Sequence, residues 1–567
     1  MKVPPFLPAA NVLSRQSTDA LTQLQSSNIK LSPVSQPLAP AEGVRSEGIS
    51  VQLGQANNPP PRVVFEPPVA VRASSISNSE HQTRTSAGFQ QQLDDFSFSL
   101  REKNRFNSAG KRFGELLNSG EKSYDQEMRR YQYYTDKTRA NQPVDFSEFS
   151  ISEERRTQNF DLSLTTRSGA KISFQLQSFS GVGKNPDTVL FESDEMTLTT
   201  PGQFASFNRT EVSFNIEGEL TEEEQKQLQQ FSEKLEAFAS GYLNQGKPSL
   251  KDLNLSEFDS ISKLSVTGNG GGQADLKLEY NNSDEVREIR FSFDGNDAEL
   301  TLDKTNPLSY QQQGKQQAIE HYLDLLDQSA KKAKADDMQQ SMMKDVLAAG
   351  FEFSQAELNL AQQARQQQTQ QRNQQPNLQQ GNALNNEELN QNRLFVPLPD
   401  FEFRFSSRKD QLPTDVISLQ ERGFDLSLSL QTQKQQDNGK VSIQQKQSFE
   451  LSGSYTELPN EDGINFRRTS FDIKSSNIIY TESEQGELLS AMVEKQQSQR
   501  ETVEDFNFDT LISTEKEESE SASVENLIQA SLADTNIAPG LLGSTLPLSS
   551  ERMQQQLLDA VLIEVDI

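Results

Sequence analysis

The sequence predicts an α+β protein in which antiparallel β-hairpin modules, in two related copies, pack with amphipathic helices. Three observations carry this. Short alternating strands are bounded by turn residues. The pentapeptide Phe160-Asp161-Leu162-Ser163-Leu164 recurs as Phe424-Asp425-Leu426-Ser427-Leu428. A long apolar stripe at helical spacing runs from Leu228 to Tyr242.

Composition limits how much of the chain can fold. Of 567 residues, 33% are hydrophobic, Trp and Cys are absent, and Phe (33 residues) is the dominant aromatic. Mean hydropathy is -0.72. Average globular chains are about 45–50% apolar, so part of this one cannot bury enough surface to offset its ordering entropy. Residues 1–90, rich in Pro, Ser, Gln and Asn, read as a disordered arm. The net charge is -28, and the arm holds seven Lys/Arg against five Asp/Glu, so the acidity belongs to the remainder. A field of that sign repels nucleic-acid phosphates and anionic lipid.

The elements follow in order. Asp95 to Leu100 alternates as a strand, and Phe113, Leu116, Leu117, Tyr124, Met128, Tyr131 and Tyr134 suggest a helical stretch over 108–139 that Gly120 can split. The first hairpin turns at Arg167-Ser168-Gly169-Ala170 and returns through Ile172, Phe174 and Leu176; Val189 to Leu198 and Val212 to Ile216 add strands. Thr221 with Glu224 forms a capping box, in which the hydroxyl accepts from the N3 amide while the Glu reaches back. Leu228, Phe231, Leu235, Phe238 and Tyr242 then share one face, and Gly246 with Pro248 stops the helix. Residues 260–303 return to β, with Asp294-Gly295-Asn296-Asp297 as a turn. Helices follow over 311–349, and Ser354 with Glu357 reads as a second capping box.

A Gln/Asn-rich linker (362–395) separates the 94–361 domain from a second β module within 396–512. There Asp437-Asn438-Gly439 signals a type I′ hairpin turn. Arg468-Thr469-Ser470-Phe471-Asp472-Ile473 parallels Arg209 to Ile216, so the two copies are placed at 157–218 and 420–475. The tail, 513–567, is acidic from Glu515 to Glu520. Helices are expected near 484–497, at 523–533 and from Glu551 to Leu562, the last either docking on the body or binding a partner.

Candidate chemistry is sparse. With no Cys and two histidines, His81 in the arm and His321 on a predicted helix, neither a zinc site nor a His-based nucleophile can be assembled. Gly268-Asn269-Gly270-Gly271-Gly272-Gln273-Ala274-Asp275 lacks the Lys-Ser/Thr of a phosphate loop and reads as a flexible hairpin loop. Asp294 to Asp297 lacks the downstream Glu of a calcium loop. Paired carboxylates for hydrolysis are available by number, but nothing selects two of them. No catalytic, cofactor or metal residues are nominated.

The element from Val212 to Glu224, Val-Ser-Phe-Asn-Ile-Glu-Gly-Glu-Leu-Thr-Glu-Glu-Glu, with its Phe231/Leu235/Phe238/Tyr242 helix and the upstream Phe160–Leu164 hairpin, resembles an uncharacterised gammaproteobacterial family of unknown function. The resemblance covers about 157–265. It implies a bacterial origin and supplies no catalytic residues. In lacking Cys, in Gln/Ser/Asn bias and in its N-terminal arm, the chain also resembles flagellar and type III export substrates. The opening Met1-Lys2-Val3-Pro4-Pro5 has no apolar h-region, and no run is long enough to span a bilayer, so the expected address is cytoplasmic at synthesis, with any export following a signal-less route. The functional expectation is a non-enzymatic binding or scaffold protein with a protein partner and no nucleic acid. A signal-less (flagellar or type III-like) export substrate or secreted structural protein, and a carboxylate-dependent hydrolase, are the alternatives.

Overall fold

A computed structural model describes residues 69–78, 109–135, 150–184, 190–193, 196–199, 204–270, 273–305, 314–352, 394–408, 423–437, 439–457, 466–484, 487–507, 510–527, 558–565 and 567. The chain separates into two units, Met1–Phe65 and Glu66–Ile567, and every described residue belongs to the second.

That unit is built on one antiparallel sheet of fifteen strands. Its strands are β1 (Val69–Asn78), β2 (Ser123–Thr135), β3 (Ser150–Thr166), β4 (Lys171–Lys184), β7 (Phe204–Glu217), β8 (Ile261–Gly270), β9 (Gln273–Asn282), β10 (Val286–Phe293), β11 (Asn296–Asp303), β12 (Asp400–Arg408), β13 (Gly423–Asp437), β14 (Lys440–Glu457), β15 (Phe466–Glu484), β16 (Glu487–Asn507) and β17 (Thr510–Asn526). The order across the sheet is β1-β2-β7-β4-β3-β8-β9-β10-β11-β12-β13-β14-β15-β16-β17. A separate hairpin joins β5 (Leu190–Ser193) to β6 (Met196–Thr199). Four helices, α1 (Ala109–Ser119), α2 (Glu222–Ser240), α3 (Lys315–Lys332) and α4 (Asp337–Phe351), complete the described architecture with a few short turns of helix.

The expected arrangement of hairpin modules packed with helices is therefore corrected: the sheet dominates and the helices are few. Strands from either side of the predicted linker pair directly, with Leu300 opposite Phe403 and Leu302 opposite Phe401. Of the 484–497 segment, expected as a helix, Glu484 ends β15 and residues 487–497 lie in β16, and residues 523–526 lie in β17. The 108–139 stretch divides at Gly120 (φ +73°) into α1 and β2. Val69–Asn78, inside the expected N-terminal arm, is the edge strand β1 on β2. These segments show weak alternation. Their pairing comes from a neighbouring strand, which single-segment periodicity does not register.

The repeat of Phe-Asp-Leu-Ser-Leu is real in register and false as a duplication. Phe160 and Phe424 stand in one cross-strand row that runs through Gly268, Leu276, Phe293, Asn296 and Ser407. Leu162 and Leu426 share the next row, through Val266, Leu278, Phe291, Ala298 and Phe405. Thus β3 and β13 run in the same direction and present the same residues to the same face. Yet β4 lies on the β1 side of β3, while β14 lies on the β17 side of β13. The same direction and the same face with opposite lateral order define mirror images, which no rotation superposes. The two related copies are corrected to one strand chemistry used twice.

Strict alternation explains the layers. In β10 and β11 every second residue is buried. Phe160, Leu162, Leu264, Leu278, Phe291, Leu300, Phe403 and Leu428 lie on one face, each at most 2% exposed. Against that face α1 places Phe113 beside Phe174 and Phe214 (ring centroids 5.7 and 6.2 Å). Helix α2 places Phe238 near Phe291, and α3 sets Tyr322 edge-on to Phe401. The C-terminal segment buries Leu558, Val561, Leu562 and Ile563 in the same core, as expected for a docking tail; its predicted start at 551–557 lies outside the described residues.

Local signals are seen where expected. The Thr221/Glu224 capping box is formed, and Gly246 (φ +62°) closes the helical segment beyond α2. Asp294 and Gly295 both have positive φ, as a type I′ turn requires, and Asp437 pairs with Lys440 across the second turn. A capping box that the sequence reading missed, Asp336 with Gln339, starts α4. The Ser354/Glu357 box and the strand at 95–100 lie outside the described residues.

Candidate functional site: an open sheet face

The sheet's second face is polar and carries no covering element among the described residues. One of its rows is ordered by charge. It runs Glu279–Arg290–Glu299–Arg404–Ser427–Glu450–Lys474 across β9 to β15, each residue directly opposite the next. Acid and base alternate wherever a charge is present, the arrangement in which cross-strand pairs attract. Arg290 Nε donates to Glu299 at 2.7 Å, Lys277 pairs with Glu279 at 2.9 Å, and Arg404 pairs with Glu402. Two shallow hollows lie on this face. One is lined by Ser163, Lys263, Glu279 and Arg290, the other by Asp297, Glu299, Arg404, Asp425 and Glu450. The second gathers four carboxylates with one guanidinium on an exposed surface, a setting suited to cations and hydrogen-bond donors of a partner.

The carboxylates whose proton affinity departs most clearly are fasteners between elements. Burial opposes ionisation of Glu224, but hydrogen bonds from Thr221 and Ser168 override it and lower the pKa to about 2. Glu236 on α2 accepts from the amides of Gly110 (2.9 Å) and Lys111 (3.2 Å), capping α1; burial pushes its pKa up. Asp345 on α4 accepts from Ser249 Oγ (2.7 Å) and is likewise pushed up by burial.

On the covered face a row of amides holds backbone of two other segments. Gln447 Nε2 donates to the carbonyl of Val561 (2.6 Å) and its Oε1 accepts from the Ile563 amide (3.1 Å). Asn477 Nδ2 donates to the same Val561 carbonyl (2.7 Å). Gln445 grips Val396 in the same way, accepting from its amide at 2.8 Å and donating to its carbonyl at 3.2 Å. These residues were missed in the sequence, where one signal was present: Gln445 and Gln447 occupy the inward parity between Ile443 and Phe449.

His321 Nε2 lies 2.7 Å from the carbonyl of Ile563, so this histidine fastens the tail. His81 lies outside the described residues. Gly268 is a strand residue rather than part of a flexible loop, because the ring of Tyr242 occupies the space of a Cβ, 2.5 Å from its ideal position. Residues 271–272 lie outside the described residues. Among the described residues no helix is long and apolar enough to cross a membrane. In comparisons with protein-family models, curated proteins and solved structures, the chain matches none.

Proposed function

We propose that the chain is a non-enzymatic binding or scaffold protein that offers its open sheet face to another protein. The observation that carries this is the row from Glu279 to Lys474, which no element covers among the described residues and which sets alternating charge across seven paired strands. Rows of this kind fix the register and identity of a partner more than they add raw affinity.

Deleting 420–475 would remove β13, β14 and much of β15 from the middle of the sheet, so point replacement is the better test. The absence of cysteine makes single-cysteine labelling unambiguous. Ser265→Cys and Ser427→Cys, each carrying a photo-crosslinker on the open face, should yield an adduct with the same protein in native lysate. Gln445→Cys, on the covered face, should yield none. Absence of any adduct from both open-face positions removes the proposal.

A further inference from the structure

We propose that the outer edge of β17 is a docking edge that takes up an extended, basic segment of another protein as an additional antiparallel strand. This rests on the binding reading above and names a surface and a partner chemistry for it.

Three independent features meet at this edge. The first is the backbone. Strand β17 pairs with β16 from Met492↔Asn526 to Asn507↔Thr510, and among the described strands it has no neighbour on its other side. All seventeen residues are exposed, so neither face is covered. A strand this long presents a row of peptide groups ready to pair, which is how edge addition gains affinity.

The second is where the apolar surface lies. The large hydrophobics exposed among the described residues are Leu489 (49%), Met492 (41%), Leu511 (48%), Ile512 (53%) and Val524 (69%), and all five are on β16 or β17. Leu489 is the bulged residue where the β15–β16 register shifts. Val524 and Met492 share the open face with Ile478 and Tyr480, as the register Val524↔Glu494↔Ile478 and Met492↔Tyr480 requires. Leu511 and Ile512 stand at the opposite end. Exposed apolar residues scattered singly need no explanation; their confinement to one ribbon does.

The third is charge, which selects the occupant. Between the apolar ends stand Glu515, Glu517, Glu518 and Glu520, with Lys516 the single cation. Arg500 pairs with Glu518 from β16. Glu501 and Glu517 face each other directly, and Lys332 reaches Glu501 at 2.5 Å. A second copy of the chain pairing on this edge would set acid against acid. The complementary occupant is an extended segment with Lys or Arg at alternate positions opposite Glu515–Glu520 and apolar residues beyond them.

The test uses the full chain and a fluorescent eleven-residue probe, Leu-Val-Lys-Thr-Lys-Thr-Lys-Thr-Lys-Val-Leu. Two control peptides carry prolines at two of the Thr positions, or Glu in place of every Lys. Anisotropy should show the probe binding at least about tenfold more tightly than either control, and deuterium uptake of 510–526 should slow when it binds. Replacing Glu515, Glu517, Glu518 and Glu520 together by Lys should transfer preference to the Glu peptide. Equal binding of the proline peptide overturns the proposal, since attraction without strand pairing would explain it. Protection confined to residues outside 510–526 overturns it, as does concentration-dependent self-association protecting 510–526 in the chain alone. Should the peptide fail while Ser265→Cys and Ser427→Cys still form their adduct, the edge is refuted and the binding reading stands. Should both adducts vanish while the peptide binds, the open-face reading falls and the edge remains.

Discussion

Ser168, in the turn between β3 and β4, donates both its amide (3.1 Å) and its hydroxyl (2.9 Å) to the carboxylate of Glu224 in the first turn of α2. The same carboxylate accepts from the Thr221 amide at 3.0 Å, so one side chain closes the capping box and ties the first hairpin to the helix over it.

The arrangement sets a pH dependence. The folded pKa of about 2 lies below the ordinary 4.5, so Glu224 stabilises the fold fully above the unfolded value, and this contribution is lost as pH falls from 4.5 through 2. The shift corresponds to at most about 3 kcal/mol. Glu224→Gln should cost about 2 kcal/mol at pH 7, because an amide nitrogen would replace one of the two oxygens that accept from Ser168. Urea unfolding of both proteins should show the difference shrinking below pH 4.5 and nearly gone at pH 2.

Helices α1 and α2 approach through Gly110. A Cβ there would fall 2.3 Å from the backbone nitrogen of Glu236 and the carbonyl oxygen of Ser232. Gly110→Ala therefore forces the helices apart and should destabilise by about 2–3 kcal/mol. At Gly114 the obstacle is the Ser232 Oγ, 2.5 Å away. Gly114→Ala should be largely rescued by Ser232→Ala, whereas Gly110→Ala should not. Thermal melts of the two single and two double variants decide this.

The amide clamp on the tail gives a local prediction. Gln447 also accepts from the Tyr322 hydroxyl at 2.9 Å, so Gln447→Leu strands two groups, the Ile563 amide and the Tyr322 hydroxyl, and leaves the Val561 carbonyl with Asn477 alone. The cost should be about 2–4 kcal/mol, taken first as release of 558–567. Hydrogen exchange should rise there and in β14 while the Thr221–Gly246 helix stays protected. Uniform destabilisation across the sheet would contradict this account.

Legibility in the sequence followed how local each determinant was. The hairpins of β3–β4, β10–β11 and β13–β14 could be read because period-two alternation and Gly169, Asp294-Gly295 and Gly439 sit side by side in the chain. Helix α2 could be read from Thr221 and Glu224. The common sheet could not, because it depends on Leu302 finding Phe401 across the Gln/Asn-rich stretch. Nor could the ladder on the open face: Arg290 and Arg404 belong to one row only through a register that Glu299 bridges. Strand β17 was read as an acidic tail because nothing in Glu515–Glu520 alternates between apolar and polar.

Glu236 offers the opposite electrostatic case to Glu224. Burial raises its pKa, and the amides of Gly110 and Lys111 oppose that shift without cancelling it. An acid whose folded pKa lies above its unfolded value weakens the fold as pH rises past the unfolded value, since the buried carboxylate must ionise. Glu236→Gln keeps an oxygen for both amides and removes the charge. It should therefore leave stability unchanged near pH 3 and raise it at pH 7, the reverse of Glu224→Gln. Parallel urea titrations at the two pH values test the pair together. A loss of stability at pH 7 in Glu236→Gln would mean that the charge itself, acting on the N-terminus of α1, outweighs the cost of burying it.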